Sequence, residues 1–365
     1  MATWSDDSPA VRLALKLGVP CLTWAMRGIE TGSLCGSQQL GFVLGELGVP
    51  FVFHLGDIDD PTSAGALADF AATCATCRDL HELRVGELGH RTAGMTEIAL
   101  DEMGLRRALG VEVVPLSMRR FVQGIEQVDD VEARTTWQTL RGEAARVDCA
   151  EADGLRAAAF LLSLRNLIVT YKLGGVAVDC YPDLMGRFCL AASVLAGEGV
   201  VIGCEGDVNG TVAQWILQQL TGQPVHNTDL LDFDPRTNIA LLSHCGNGHV
   251  SLSAGSRHVR FAPARLANDG LCVLFPGRTG PVTMVNLVGN VASYRLAVIE
   301  AEAVPAEMAF PGNPVRVALP HRESDFLQFV SEHALGHHWM IGYGHVAARV
   351  RLLSRFVGMR LLEMA

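Results

Sequence analysis

The chain has 365 residues, which at roughly 150 residues per domain predicts two or three domains rather than one small binding module. Apolar residues make up 49% of the chain and charged residues 19%, enough to bury a large core and too little charge for a disordered protein. The formal charge of −10, from 29 basic and 39 acidic residues, would repel nucleic acid on average, so that class of partner is excluded.

The N-terminal segment, the apolar runs and the cysteines together predict a cytoplasmic protein. No apolar run reaches the roughly 18 residues that span a membrane, so no membrane partner is expected. The start MATWSDDSPAVRLAL has no basic segment and does not resemble a secretory signal. Ten cysteines are spread from Cys21 to Cys272 in apolar segments, which favours reduced thiols in the cytoplasm over a disulfide framework.

Residues 1–81 predict a partial N-terminal α/β domain. Helical stretches such as QQLGFVLGELG alternate with the short apolar runs VPCLTW and VPFVFHL, the signature of βαβ units. The chain starts almost directly in a helix, without a leading strand. This first unit therefore looks truncated relative to a complete doubly wound domain.

Residues 82–222 predict a complete, Rossmann-like doubly wound α/β domain. A strand around Leu83 to Leu88 runs into a Gly-rich turn, then into the helical stretch TEIALDEMGLRRALG and the strand VEVVPLS. Strands GVAVDCYP and GVVIGCEGD follow further on, and GTVAQWILQQLTG forms the last helix. The other predicted helices cover Asp130 to Arg141, Glu151 to Tyr171 and Leu184 to Leu195.

Residues 223–365 predict a C-terminal domain that contains an antiparallel sheet or β-barrel. Short runs such as GLCVLFPGRTGPVTMVNLVG and YRLAVIEAEAV alternate with Gly, Pro and Asn turns and lack a long helical period. The tail returns to α/β, with helices over Asp325 to Ala334 and His345 to Phe356. The strands HHWMIGYG and MRLLEM complete this region.

Candidate chemical residues lie next to strand ends in the second half of the chain. Glu205 ends GVVIGCEGD, where ligands of open α/β sheets bind. Carboxylates and imidazoles together suit Mn²⁺ or a similar divalent ion, and Asp229, His244 and the pair His337 and His338 could join Glu205. The residues are far apart in sequence, so structural roles stay open: a helix cap for Glu205, a turn for Asp229 and a core position for His244.

Three segments together resemble the L-fucose isomerase and L-arabinose isomerase superfamily, especially its L-fucose isomerase-like sugar isomerases. They are CEGDVNGTVAQWILQQLTGQPVHNTDLLDFDPRTNIALLSHCGN, the later GHHWMIGYGH, and VGELGHRTAGM with VEVVPLS. The resemblance implies two Rossmann-like domains, here with the first truncated, followed by a β-barrel-containing domain. It also implies a homo-oligomer, usually a hexamer or trimer.

The resemblance implies metal-dependent interconversion of an aldose and a ketose, an intramolecular oxidoreductase reaction. The ion would be Mn²⁺, or another divalent metal such as Mg²⁺ or Co²⁺. Its ligands would fall on Glu205, Asp229 and His338, with His244 as a further ligand by similarity to the arabinose isomerase branch. Alternatives are His337 for His338, and Asp232 or Asp234 for Asp229.

Such a site needs a base near the α-proton and a Lewis acid for the developing enediolate, so Glu205 and Asp229 are also the predicted catalytic acid–base pair. A hydride shift between the same two carbons would need the same placement of metal and sugar, so both routes stay open. Met95 in the Gly-rich turn and Trp339 beside His338 are predicted substrate contacts, with packing as the alternative for each. Asp207 and Asn209 are predicted helix caps.

The positions outside these segments do not match true fucose or arabinose isomerases, which favours another sugar, such as a pentose, a 6-deoxyhexose or a related compound. The competing hypothesis is a sugar-binding or regulatory relative without turnover. A nucleotide-dependent enzyme is disfavoured because neither G-x-G-x-x-G nor a P-loop follows a predicted strand.

Overall fold

The computed structural model describes residues 6–290, 293–308 and 311–364. The chain has a mixed α/β fold and divides into two compact units. The first unit comprises Met1–Asp79 with Ala348–Met359, and the second Leu80–Ala347 with Arg360–Ala365. The predicted domain border near residue 222 lies inside the second unit and stays a prediction.

The first unit contains a parallel pair of strands flanked by helices. Its elements are α1 (Ser8–Leu17), β1 (Cys21–Ala25), α2 (Ser33–Glu46), β2 (Phe51–Leu55) and α3 (Pro61–His81). Its small core forms around Ala14, Leu40 and Leu44. Near the end of the chain, Arg349 adds an ion pair to Asp69 at 2.8 Å.

A four-stranded parallel sheet opens the second unit. Its strands run in the order β4-β3-β6-β7, and β3 pairs with both β4 and β6. The strands are β3 (Arg84–Leu88), β4 (Glu112–Leu116), the short β5 (Arg146–Val147), β6 (Gly175–Val178) and β7 (Val201–Gly203). The helices are α4 (Glu102–Leu109), α5 (Met118–Ile125), α6 (Asp130–Leu140), α7 (Glu151–Tyr171), α8 (Cys189–Gly197) and α9 (Val208–Thr221).

The later part of the second unit is a ring of hydrogen-bonded, mainly antiparallel strands. The order β12-β15-β8-β9-β14-β13 closes because β13 also pairs with β12, and β16 adds to β13. The strands are β8 (His226–Asp234), β9 (Ile239–Ser243), β10 (Arg260–Ala264), β11 (Asp269–Leu274), β12 (Gly280–Asn290), β13 (Ser293–Val304), β14 (Val315–Ala318), β15 (His338–Tyr343) and β16 (Arg360–Glu363). Helix α10 (Glu323–His333) belongs to this part as well, whereas α11 (Ala347–Phe356) belongs to the first unit from Ala348 onward. Strands β10 and β11 pair with each other outside the ring, and β10 also pairs with β5.

Helix α9 lies between the parallel sheet and the ring. It is buried along almost its whole length and contacts β6 and β7 on one side and β12 and β15 on the other. The approach to β15 is close, because a Cβ at Gly342 would lie 2.9 Å from side-chain atoms of both Leu217 and Thr221. This packing brings the end of β7 next to the ring strands.

Two predicted helices begin at least five residues later than the sequence pattern suggests, and α11 begins two residues later. The stretch TEIALDEMGLRRALG is a 3₁₀ turn followed by α4, because the side chain of Asp101 caps α4 by accepting a hydrogen bond from Gly104 N at 2.9 Å. Helix α8 begins at Cys189 rather than Leu184. Its start is delayed because Gly186 has a left-handed φ of 76° and lies against the backbone of Gly270.

Across the residues that the structure describes, none of the helices combines the length and the apolar character needed to cross a bilayer.

His226, at the start of β8, is a buried titratable residue inside the ring. It packs beside the rings of Phe275 and Tyr343, and neither of its ring nitrogens has a hydrogen-bond partner. Burial, assisted by the charge of Arg278, lowers the pKa of His226 to about 3. Since an unfolded histidine titrates near 6.5, the folded protein must keep this ring neutral.

We predict that His226 contributes to acid instability. Its stabilising effect is complete above about pH 6.5 and is lost as the pH falls toward about 3, by at most about 1.4 kcal/mol per pH unit. The free energy of unfolding, measured by urea denaturation between pH 7 and 4, should therefore fall less steeply in His226→Phe than in the wild type. The exposed His258→Phe serves as the control and should keep the wild-type slope. Parallel curves for wild type and His226→Phe would contradict the prediction.

Candidate metal and catalytic site

Three neighbouring ring strands carry predicted site residues to one place. Asp229 of β8 is the direct cross-strand partner of His338 of β15, so their side chains share one face of the ring. On the other side of β8, Asp229 faces Ser243, the last residue of β9, and His244 follows it. Strand pairing therefore joins residues that are more than a hundred positions apart in sequence.

Glu205 reaches this place from the parallel sheet. It follows β7 in a left-handed conformation with a φ of 64°, which is unusual for a residue other than glycine and is typical of functional sites. Its carbonyl accepts a hydrogen bond from Thr92 N at 2.9 Å. The next residue, Gly206, is also left-handed, and a Cβ there would lie 2.4 Å from His90 O. The Gly-rich turn after β3 thus holds the Glu205 turn in place.

The side-chain atoms of the predicted ligands form one cluster. His338 Nε2 lies 3.3 Å from Glu205 Oε2 and 3.7 Å from Asp229 Oδ1. His244 Nε2 lies 3.9 Å from Asp229 Oδ2. Two sets have ligand atoms within 4.8 Å of one another: Glu205, His244 and His338; and Asp229, His337 and His338.

His338 is oriented from behind by two buried residues. Its Nδ1 lies 2.7 Å from Asp207 Oδ2, while the other oxygen of Asp207 accepts the capping hydrogen bond from Gly210 N at the start of α9. The side-chain amide of Asn286 donates to the carbonyls of Gly336 and His338 at 2.8 and 2.7 Å. These contacts fix the ring so that Nε2 faces the cluster.

Two effects determine the pKa values in the cluster: burial, which favours the neutral form of each group, and contacts between the carboxylates and the imidazoles, which favour the charged forms. Burial raises the pKa of Glu205, but contacts with His337 and His338 outweigh this effect and hold it well below its usual range. Burial lowers the pKa of His338, yet contacts with Asp207 and Glu205 reverse the effect and raise it to about 10. Burial keeps the pKa of His244 below its ordinary value. Glu205 is therefore a carboxylate at neutral pH.

The cluster fits a divalent metal ion. Asp229 Oδ1, His244 Nε2 and His338 Nε2 are buried atoms without a hydrogen-bond partner, although buried polar groups normally have one. Two carboxylates and two imidazoles form a donor set that suits Mn²⁺ and similar ions. The contact from Asp207 to His338 also follows the carboxylate–histidine arrangement typical behind metal ligands.

The two predicted substrate contacts, Met95 and Trp339, have different surroundings in the structure. Met95 is half-buried in the turn that contacts Glu205, and its carbonyl lies 3.4 Å from a guanidinium nitrogen of Arg91. Trp339 points to the opposite face of β15 from His338, is 1% exposed and packs on Phe326 at 5.6 Å between ring centroids. Trp339 therefore has the surroundings of a packing residue, and its contact with a sugar stays a prediction.

Asp232 and Asp234 lie outside the cluster. Both are exposed. The carboxylate of Asp232 accepts a hydrogen bond from Phe233 N within β8, and that of Asp234 accepts one from Arg236 N in the turn that follows. Of the three aspartates considered, only Asp229 lies among the histidines.

Sequence reasoning missed three residues that contact the histidines. The sequence predicts Asp207 as a helix cap, which the structure confirms, but the pattern gives no role to its second oxygen. Asn286 and Glu97 carry no prediction, although Glu97 Oε1 lies 2.6 Å from His337 Nδ1. The cap pattern after Glu205 was a usable signal for Asp207. Neither Glu97 nor Asn286 stands in a motif.

The chain is similar over nearly its whole length to proteins named sulfoquinovose isomerase. It is 24% identical to those of Priestia aryabhattai and Priestia megaterium (strain ATCC 12872 / QMB1551) over an alignment of 368 positions, which covers 98% of this chain and 82% of each relative. It is 22% identical to that of Alkalicoccus urumqiensis over an alignment of 372 positions, which covers 99% of this chain and 84% of the relative. No protein-family model matches the chain.

Proposed function

We propose that this chain is a divalent-metal-dependent aldose–ketose isomerase of the L-fucose isomerase-like type, acting on an open-chain sugar. The observation that supports this most strongly is the cluster of Glu205, Asp229, His244 and His338. In it, the buried atoms Asp229 Oδ1, His244 Nε2 and His338 Nε2 lack hydrogen-bond partners. The similarity to sulfoquinovose isomerases supports the same reaction class. Sulfoquinovose, a 6-deoxyhexose that carries a sulfonate, is the proposed substrate.

Glu205, Asp229, His244 and His338 would hold the ion, with Mn²⁺ the proposed metal. A bound divalent ion supplies Lewis-acid stabilisation for negative charge on the two sugar oxygens. The chain itself supplies orientation: Asp207 fixes the tautomer of His338, and Asn286 fixes the backbone that carries it.

Asp229 and Glu205 would perform the proton transfers. The Asp229 side chain is 30% exposed, so its carboxylate can reach the sugar and take the proton from the carbon next to the carbonyl. The C–H electron pair then forms the C1–C2 double bond, and the carbonyl pair moves onto the C1 oxygen. The proton held by Asp229 passes to Glu205, which returns it to C1, and the hydroxyl proton moves from the C2 oxygen to the C1 oxygen. This gives the ketose and leaves both carboxylates ionised as at the start. The reaction is redox-neutral overall and needs no other reactant.

We also propose that the chain is a homo-oligomer. Parallel sheets are normally covered on both faces. Among the residues that the structure describes, the sheet of the first unit has two strands, and Phe53 of β2 is 39% exposed. Large apolar side chains of this unit are strongly exposed in the single chain, and a second copy would cover them. They include Leu13, Leu17, Ile29, Phe42 and Ile58.

We predict that metal binding stabilises the protein through Glu205. Saturating Mn²⁺ should raise the melting temperature of the wild type, by an amount that corresponds to about 2.7 kcal/mol at one hundred times the Kd. Glu205→Ala should lose this shift because it removes a central ligand. Glu198→Ala, which removes only an exposed pair with Arg165, is the control and should keep the shift. A wild type that binds neither Mn²⁺, Co²⁺ nor Mg²⁺ would refute the metal proposal.

We predict a molar mass in solution of three or six times 39.1 kDa by light scattering at micromolar concentration. Phe42→Arg should lower this mass, because it places a charge on the exposed apolar surface of the first unit. Val169→Arg is the matched control, since Val169 is about equally exposed but belongs to the second unit. A monomeric wild type would count against the proposal.

We predict that Asp229→Asn keeps an oxygen donor but loses the base. Exchange of the sugar α-proton with deuterated water should fall by about 10²–10⁴-fold, while Mn²⁺ still raises the melting temperature. The exposed Asp232→Asn should exchange like the wild type. Full activity of Asp229→Asn would reject the assignment.

The wild type distinguishes the remaining alternatives in the same assay. Conversion of sulfoquinovose without solvent exchange would favour a hydride shift. Bound Mn²⁺ without conversion or exchange of any pentose, 6-deoxyhexose or acidic sugar would favour a non-catalytic sugar-binding protein.

A further inference from the structure

His337 lies between two carboxylates on the outer side of the cluster. Its Nδ1 is 2.6 Å from Glu97 Oε1, and its Nε2 is 3.4 Å from Glu205 Oε2 and 3.9 Å from Asp229 Oδ1. The ring therefore has one nitrogen anchored outside the cluster and the other facing the two proposed catalytic carboxylates.

The two adjacent histidines differ in exposure and in partners. The His338 side chain is 3% exposed and its Nε2 has no hydrogen-bond partner, as expected for an inner ligand. The His337 side chain is 34% exposed, and its Nε2 hydrogen-bonds Glu205. A substrate that approaches from solvent can therefore reach His337 without displacing the buried residues.

Glu97 is held by the same turn that supports Glu205. It belongs to the 3₁₀ turn Thr96–Ile98, whose Ile98 is buried, and this turn directly follows the segment in which Thr92 N binds Glu205 O. Although Glu97 is itself about half exposed, its backbone is fixed relative to Glu205. Glu97, Glu205 and His337 form a continuous chain of contacts.

We propose that Glu97 is a positioning residue that fixes the ring of His337, so that Nε2 faces the space beside Glu205 and Asp229 and hydrogen-bonds a hydroxyl group of the open-chain sugar. This inference rests on the proposed isomerase function. The physical reason is that an imidazole ring can turn about its Cβ–Cγ bond, and one short hydrogen bond at Nδ1 determines which nitrogen faces inward. A misplaced contact of this kind costs up to about 100-fold in catalytic efficiency.

The test compares kcat, KM and Mn²⁺ affinity in variants of the full chain, with sulfoquinovose as the probe, or another aldose if the wild type converts that instead. Glu97→Ala should raise KM by about 10-fold or more and leave the Mn²⁺-induced thermal shift unchanged. Glu97→Gln should restore most of the loss, since the amide oxygen can accept from Nδ1. The control is Glu87→Ala, which removes a similar carboxylate–histidine contact, to His90 at 3.4 Å, and should match the wild type.

A double-variant cycle separates positioning from a general structural effect. If Glu97 acts through His337, then His337→Ala with Glu97→Ala should have the same KM as His337→Ala alone. Additive losses, or a Glu97→Ala variant that behaves like Glu87→Ala, would overturn the proposal.

Two further outcomes are also decisive. If His337→Ala loses Mn²⁺ affinity as strongly as His338→Ala, His337 is a metal ligand and the proposed sugar contact is wrong. A wild type that neither converts nor exchanges any sugar refutes the isomerase function and this inference together. That result differs from failure of the inference alone, in which the wild type remains active.

Discussion

The placement of two carboxylates in one buried cluster is the constraint on which the rest of the site depends. In the described part of the chain, the ion-pair partners of Glu205 and Asp229 are histidines, without a lysine or arginine. Buried like charges are costly unless they are compensated. Three imidazole rings therefore crowd around them, with His337 and His338 at 4.0 Å between centroids and His244 and His338 at 5.7 Å. Imidazole can give up its proton to make room for a cation, which a guanidinium cannot do.

The fold meets this constraint by joining two kinds of sheet through one helix. The parallel sheet supplies Glu205 at a strand end, and the antiparallel ring supplies Asp229 and His338 as direct cross-strand partners. Helix α9 packs between them and begins at the residue that orients His338. Two contacts maintain the left-handed backbone of Glu205. Its carbonyl accepts a hydrogen bond from Thr92 N, and the next residue, Gly206, packs directly against the backbone of the turn after β3.

The sequence predicts the molecule best where a residue pattern directly reflects a helix or strand of the structure. The mixed α/β fold and the helices α6 and α7 follow from periodicity. The resemblance selects four residues that lie close together in the structure: strand pairing in the ring joins Asp229, His244 and His338, and the parallel sheet supplies Glu205. Their roles as ligands, the doubly wound arrangement and the barrel stay predictions. Trp339 could not be oriented, because a residue next to a site residue on a strand faces the other way. Glu97 could not be found at all, since an exposed acid on a short turn has no periodic or motif signal.

One carboxylate oxygen of Asp207 accepts the capping hydrogen bond at the start of α9, and the other contacts the ring of His338. Folding and chemistry are therefore coupled at a single side chain, and neither can be changed there without the other. In a library of random variants, a screen for soluble expression alone would already enrich for acceptors at this position. Asp207 would then look invariant because the protein needs it to fold. A survey of which substitutions the protein tolerates would not detect that Asp207 also orients His338.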